Sequence, residues 1–85
     1  MKVVYLGKLA DLAGRNESEF WSSSGEFDWP DLVEILHTHV NSEISAAADD
    51  ERTRVAVNGE LLTDKFALEA RNGDEVALLP PVSGG

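Results

Sequence analysis

Apolar residues follow two patterns along this chain: short, nearly continuous runs of β-branched or aromatic residues, and longer stretches in which they recur with helical spacing. The first run, Val3-Val4-Tyr5-Leu6, predicts a strand buried on both faces and therefore central in a sheet. Leu9, Leu12 and Ala13 then keep helical spacing up to Gly14, which suits the left-handed position that closes a helix, so Lys8 to Ala13 reads as a short helix. Glu17 to Ser22 contains Phe20 and Trp21 and predicts a second strand paired back on the first, followed by a Ser23-Ser24-Gly25 loop. Asp28 supplies an N-cap, Pro30 fits a first turn and Asp31 sits near the positive end of the helix dipole. From there Leu32, Ile35, Leu36 and Val40 form one stripe, with Asp31, Glu34 and Thr38 off it. This is the long helix, its stripe laid across a sheet.

Glu43 to Ala48 predicts a second, weaker helix, and Asp49-Asp50-Glu51 after it a solvated turn, since it lacks the spaced ligands and glycine of a calcium loop. Val55 and Val57 share one face of a strand from Arg54 to Asn58, and Asn58-Gly59 is the preferred pair for a type I′ turn into Glu60-Leu61-Leu62. Phe66 and Leu68 are expected as core contacts from an irregular connection, and Asn72-Gly73-Asp74 as a turn. The final strand, Glu75-Val76-Ala77-Leu78-Leu79, is again nearly all apolar until Pro80, which has no N–H to continue a ladder.

The order is therefore strand, strand, helix, strand, strand, strand, with the two most apolar strands near the ends of the chain. Both require the middle of the sheet. The simplest solution is a mixed sheet whose first and last strands are adjacent and parallel, with the main helix across one face. That is an α+β fold of the β-grasp, or ubiquitin-like, roll. No repeat or linker divides the chain, so residues 1–79 read as a single β-grasp domain and residues 80–85 as a flexible projecting arm.

The arm, Pro80-Pro81-Val82-Ser83-Gly84-Gly85, joins two stiff residues to two without side chains. Fully extended it reaches roughly 20 Å beyond the body, far enough to enter a pocket on another protein. Short Gly/Ser ends also describe frayed termini. The Pro-Pro pair directly after a strong strand distinguishes this one, and makes the α-carboxylate at Gly85 a candidate reactant.

Composition narrows the chemistry. Sixteen acidic against seven basic residues among 85 give a formal charge of −9, which argues against nucleic acid phosphates as partners and favours a basic protein surface. The same acidity serves solubility or adaptation to a salty cytoplasm. There is no cysteine, so a cysteine persulfide, a cysteine nucleophile and a thiolate metal site are all excluded. His37 and His39 stand two apart on the long helix, point to nearly opposite sides and share no metal. Lys8, Arg54 and Lys65 are candidates to pair with a partner, each a weak signal alone. The short apolar run at the start is too short for a signal peptide or membrane span, so a cytoplasmic chain with no membrane partner is expected.

A β-grasp body with a Gly-Gly carboxylate resembles the ubiquitin-like sulfur carriers, and within them the small subunit of molybdopterin synthase, the MoaD-type family. The resemblance spans essentially the whole chain. Its marks are Val3 to Leu6 with the short helix closing at Gly14, Val55-Ala56-Val57-Asn58-Gly59, and the run from Asn72-Gly73-Asp74-Glu75-Val76 through Pro80-Pro81-Val82-Ser83-Gly84-Gly85. One departure is visible: Leu78 and Leu79 stand where members of the family often carry aromatic residues. The resemblance implies that Gly85 is adenylated by an ATP-dependent activating enzyme, converted to a thiocarboxylate by a sulfur donor protein, and delivered to a pterin precursor on the large, catalytic subunit. It implies Leu79, Pro80, Pro81, Val82, Ser83 and Gly84 as partner contacts, no cofactor or metal bound by this chain, a heterotetramer with the large subunit, and no catalysis by this chain alone. The rival readings are a ubiquitin-like modifier joined through Gly85 to target lysines, a carrier for thiazole or transfer-RNA thiolation, and a non-covalent interaction module.

Overall fold

The computed structural model describes residues 1–81. Its centre is the pairing of the two apolar runs. Strand β1 (Lys2–Tyr5) runs parallel to strand β7 (Glu75–Leu79), with Val3 opposite Val76 and Tyr5 opposite Leu78. Strand β2 (Glu17–Glu19) adds antiparallel to the outer edge of β1. On the other side of β7 lie β4 (Arg54–Val57) and β5 (Glu60–Leu61), giving the order β2-β1-β7-β4-β5. All five strands of this sheet are those expected, in a mixed sheet with β1 and β7 adjacent. The β4–β5 turn takes positive φ at Asn58 (50°) and Gly59 (87°), as a type I′ turn requires.

A second, two-stranded sheet was not expected. β3 (Glu26–Asp28) pairs antiparallel with β6 (Glu69–Arg71), and its one buried pair is Phe27 against Ala70. Asn72 fastens it to the loop before it: its side chain accepts from the Ser22 N–H (2.9 Å) and donates to the Ser22 carbonyl (2.8 Å).

Helices α1 (Lys8–Ala13), α2 (Trp29–His39) and α3 (Ser42–Asp49) contribute to the core. The longest, α2, opens with a capping box in which Asp28 accepts from the Asp31 N–H (2.9 Å) and Asp31 accepts from the Asp28 N–H (3.0 Å). Its Leu32 and Leu36 are fully buried, while Ile35 and Val40 are half-buried against the same core. Asn41 starts α3 by accepting from the Ile44 N–H and also donates through its side chain to the Leu12 carbonyl of α1, while its backbone N–H donates to the Leu36 carbonyl of α2, so one residue ties all three helices. The core joins Val3, Tyr5, Val55, Val76 and Leu78 of the sheet to Leu9, Leu32, Leu36, Ile44 and Ala48 of the helices. Each buried aliphatic side chain contributes about 1.5–3 kcal/mol.

One expectation is reversed in the connection after β5. Leu68 is core, but Phe66, in the short 3₁₀ helix Lys65–Ala67, is 58% exposed and only its edge meets Trp29. Lys65 is the residue turned inward, at 8% exposure. Its Nζ donates to the carbonyls of Ala48 (2.8 Å), Thr53 (3.1 Å) and Asp50, and lies 5.3 Å from the Trp29 ring. The end of α3 turns sharply into β4 there, and Lys65 gathers carbonyls from both sides of that turn, the Asp50 carbonyl also accepting from the Thr53 N–H. Among the described residues no helix is long and apolar enough to cross a membrane.

A Lys65→Met chain keeps the apolar stem and loses all three donors. Its unfolding free energy in urea should fall by roughly 2–3 kcal/mol; a change below about 0.5 kcal/mol would mean these carbonyls do not depend on the ammonium.

Candidate functional site at the root of the arm

The arm root grows out of the best-held strand in the molecule. β7 is bonded on both sides, to β1 and to β4, with Leu78 set between Tyr5 and Val55. Val76 and Leu78 point into the core, so Glu75, Ala77 and Leu79 point to the opposite face of the sheet. The pairing registers put Val4 and Ala56 beside Ala77, Leu61 beside Ala56, and Arg54 beside Leu79 on that face. Leu61 is 52% exposed and Leu6, where β1 ends, 39%. Leu79, Pro80 and Pro81 are half-buried and, with Leu61, Arg54, Arg52 and Glu51, line one surface groove.

Two contacts fix the direction in which the chain leaves the sheet. The Leu6 N–H donates to the Leu78 carbonyl (3.2 Å), extending the parallel ladder to the last turn of β7. Beyond it Gly7 takes φ 54° and ψ −133°, and a Cβ built there would stand 3.2 Å from Pro80 Cγ. Glycine at this position therefore meets both a backbone and a packing requirement.

The charges beside the groove are partly self-neutralised. Arg52 donates to Asp50 through Nε (3.2 Å), Nη2 (3.3 Å) and its own backbone N–H (2.8 Å). The side-chain hydrogen bond from Arg52, then the backbone one, lowers the Asp50 carboxyl to about 2. At the far end of the same face Lys2 bridges Glu17 (3.7 Å) and Glu75 (4.0 Å).

Of the expected site residues, Leu79, Pro80 and Pro81 are brought together at the groove. Val82, Ser83, Gly84 and Gly85 lie outside the described residues. Among the three lysine and arginine candidates, Lys8 is exposed, Arg54 lines the groove, and Lys65 is withdrawn into the interior and offers no surface charge. His37 and His39 are both exposed, and among the described residues no group of three or more His, Asp or Glu could hold a metal. Gly7 and Leu61 were not expected at the arm root. Only the adjacency of β7 to both β1 and β4 places them there.

A mixed sheet with parallel central strands, crossed by a main helix and ending in a terminal strand that carries an arm, defines a ubiquitin-like β-grasp protein. The crystal structure of SAMP1 from Haloferax volcanii superposes with a TM-score of 0.70 at 28% identity, covering 100% of this chain and 98% of that one. The model of the ThiS family matches residues 3–85, and the chain belongs to that family. It is 34% identical over 86 residues to the molybdopterin synthase sulfur carrier subunit of Chlamydomonas reinhardtii, covering 100% of this chain and 98% of that protein. The subunit of the same name from Escherichia coli is 32% identical over 88 residues, with 100% and 99% covered.

Two measurements check this local picture. Gly7→Val should destabilise the fold by roughly 2 kcal/mol through backbone strain and the clash with Pro80, read from thermal or urea unfolding. The Asp50 carboxyl, followed by carbon-detected NMR, should titrate near 2 and move back toward 3.8 in Arg52→Ala. Because its folded value lies below the ordinary one, the stability it contributes is complete above pH 3.8 and is lost as pH falls from there toward 2.

Proposed function

We propose that this chain is the sulfur carrier subunit of a molybdopterin synthase. The observation that carries the reading is the full-length similarity to two proteins of that name, combined with an arm rooted at the end of a doubly bonded central strand. On this reading the Gly85 carboxylate is the working group. An ionised carboxylate is a poor acceptor for a sulfur nucleophile, so it must first be given a leaving group. A carboxylate oxygen attacks the α-phosphorus of ATP on the activating enzyme, and pyrophosphate departs. Sulfide-level sulfur released by a sulfur donor protein then attacks the acyl carbon and expels AMP, leaving the thiocarboxylate and a proton.

The loaded arm enters the large, catalytic subunit, where its sulfur passes to cyclic pyranopterin monophosphate and, over two transfers, forms the dithiolene. Gly85 bears the sulfur, Gly84 and Ser83 thread the pocket, and Val82, Pro81, Pro80 and Leu79 set the reach. The acid, base and anion-binding groups belong to the partner, so this chain is a carrier within a sulfurtransferase rather than an enzyme alone. It binds no cofactor itself, ATP being consumed by the activating enzyme. The assembly is a cytoplasmic heterotetramer of small and large subunits.

A second reading has its own support in the likeness to SAMP1, which another crystal structure titles small archaeal modifier protein 1. There the same activated Gly85 would be joined to a target lysine.

Intact mass spectrometry separates the two. After incubation with ATP, the activating enzyme and a sulfur donor, the full chain should show one oxygen replaced by sulfur, and a chain lacking Gly85 should not. Addition of the large subunit and pterin precursor should then return the carrier to its original mass. An unchanged mass for the free carrier, with the tryptic branch of residues 72–85 found on lysines of other proteins, would replace the carrier reading by the modifier one.

A further inference from the structure

The cations of this acidic chain are unevenly committed. Lys2 is held by Glu17 and Glu75, Arg52 by Asp50, and Lys65 by three interior carbonyls. Arg54 has no carboxylate within ion-pair distance among the described residues, yet it lines the groove with Leu61, Leu79, Pro80 and Pro81. Lys8, Arg15 and Arg71 are also without ion pairs there, but none of them lines this groove. Arg54 is thus the one uncommitted cation at the arm root, on a chain of formal charge −9.

Resting on the sulfur-carrier reading, we propose that Arg54 is a specificity-determining residue: its guanidinium pairs with a carboxylate of the large synthase subunit as Leu79, Pro80 and Pro81 seat. Three features support the assignment. The antiparallel register places Arg54 directly beside Leu79, so the charge is carried on a rigid strand at a fixed offset from the arm. Leu61, Leu79, Pro80 and Pro81 form the apolar part of the groove it lines, and covering them removes water from the guanidinium, which strengthens a pair that forms and penalises one that does not. The remaining charges of the groove are Glu51 and the Arg52–Asp50 pair, which is neutral as a unit.

The consequence is selection rather than general attraction. An acidic body draws in any basic surface, including the wrong ones. A lone guanidinium at the arm root rejects a uniformly basic site and accepts one with a carboxylate at that place. Arginine is suited to this role because its planar fork meets a carboxylate through two hydrogen bonds and never loses its charge.

The test is the affinity of the full chain for the large synthase subunit of the same organism, by calorimetry at two salt concentrations. R54Q should weaken binding about tenfold and R54E further, while R54K recovers part of the loss. R15E makes the same charge change as R54E away from the groove and should have little effect. The salt dependence should be shallower in R54Q than in the parent chain. Equal effects of R54E and R15E, or an R54Q chain that binds as well as the parent, would overturn the role of Arg54 while leaving the carrier reading intact. A parent chain that neither binds the large subunit nor gains sulfur would overturn both. Thermal unfolding of each variant guards against a folding defect; should R54E fail to fold, R54Q decides.

Discussion

The parallel pairing of β1 with β7 is the constraint on which the rest of the structure depends. It joins residues from opposite ends of the chain, so the loop it closes contains nearly everything else. Closing so long a loop has an entropic cost that only a large buried surface offsets. Val3, Tyr5, Val76 and Leu78 supply it from the sheet, and Leu9, Leu32, Leu36 and Ile44 from the helices. On the other edge of β1, beside β2, the Met1 side chain is buried and its ammonium donates to the Phe20 carbonyl at 2.6 Å. Because β7 is bonded on both sides, freeing the root of the arm requires two ladders to break. Its local stability therefore approaches that of the whole fold.

Around this centre, polar side chains bond to backbone groups of neighbouring elements and tie those elements together. Lys65 closes the turn between α3 and β4, Asn41 links the helices, and Asn72 fastens the small sheet. Thr53 donates to the Ala47 carbonyl and Ser45 to that of Val33. Among the described residues no buried side-chain N or O lacks a partner. In a domain this small such completeness matters, since one orphaned polar group costs a large share of the net stability.

Much of this was legible in the residues. Strands β1, β4 and β7 carry continuous or alternating apolar runs, and Asn58-Gly59 specifies its own turn, so the pairings of β1 with β7 and of β4 with β5 could be argued in advance; the strand expected over Glu17 to Ser22 stops at Glu19, and Trp21 beyond it is exposed. The small sheet was hidden because Glu26-Phe27-Asp28 and Glu69-Ala70-Arg71 each hold one apolar residue, too few to establish a period. Phe66 and Lys65 were inverted for a related reason. Hydropathy assigns the ring inward and the ammonium outward, and cannot register three backbone carbonyls converging from distant positions. At the site, Leu79, Pro80 and Pro81 were readable from the strand that stops at a proline. Gly7, Leu61 and the placement of Arg54 emerge only from the pairing registers.

The arm root suits a carrier because it separates reach from reactivity. Among the described residues nothing in the groove resembles a nucleophile with its base: the side chains there are aliphatic or prolyl, with one glutamate and two arginines. A reacting group delivered from such a root takes its chemistry from whatever pocket it enters, and the body contributes position alone. Position is what the local structure controls. Gly7 sets the path of Pro80, and Leu79 and Arg54 stand side by side on the outward face of the sheet. A carrier that meets more than one partner needs one docking geometry with several possible chemistries. A rigid strand end beside an apolar groove provides that geometry without committing the chain to any one reaction.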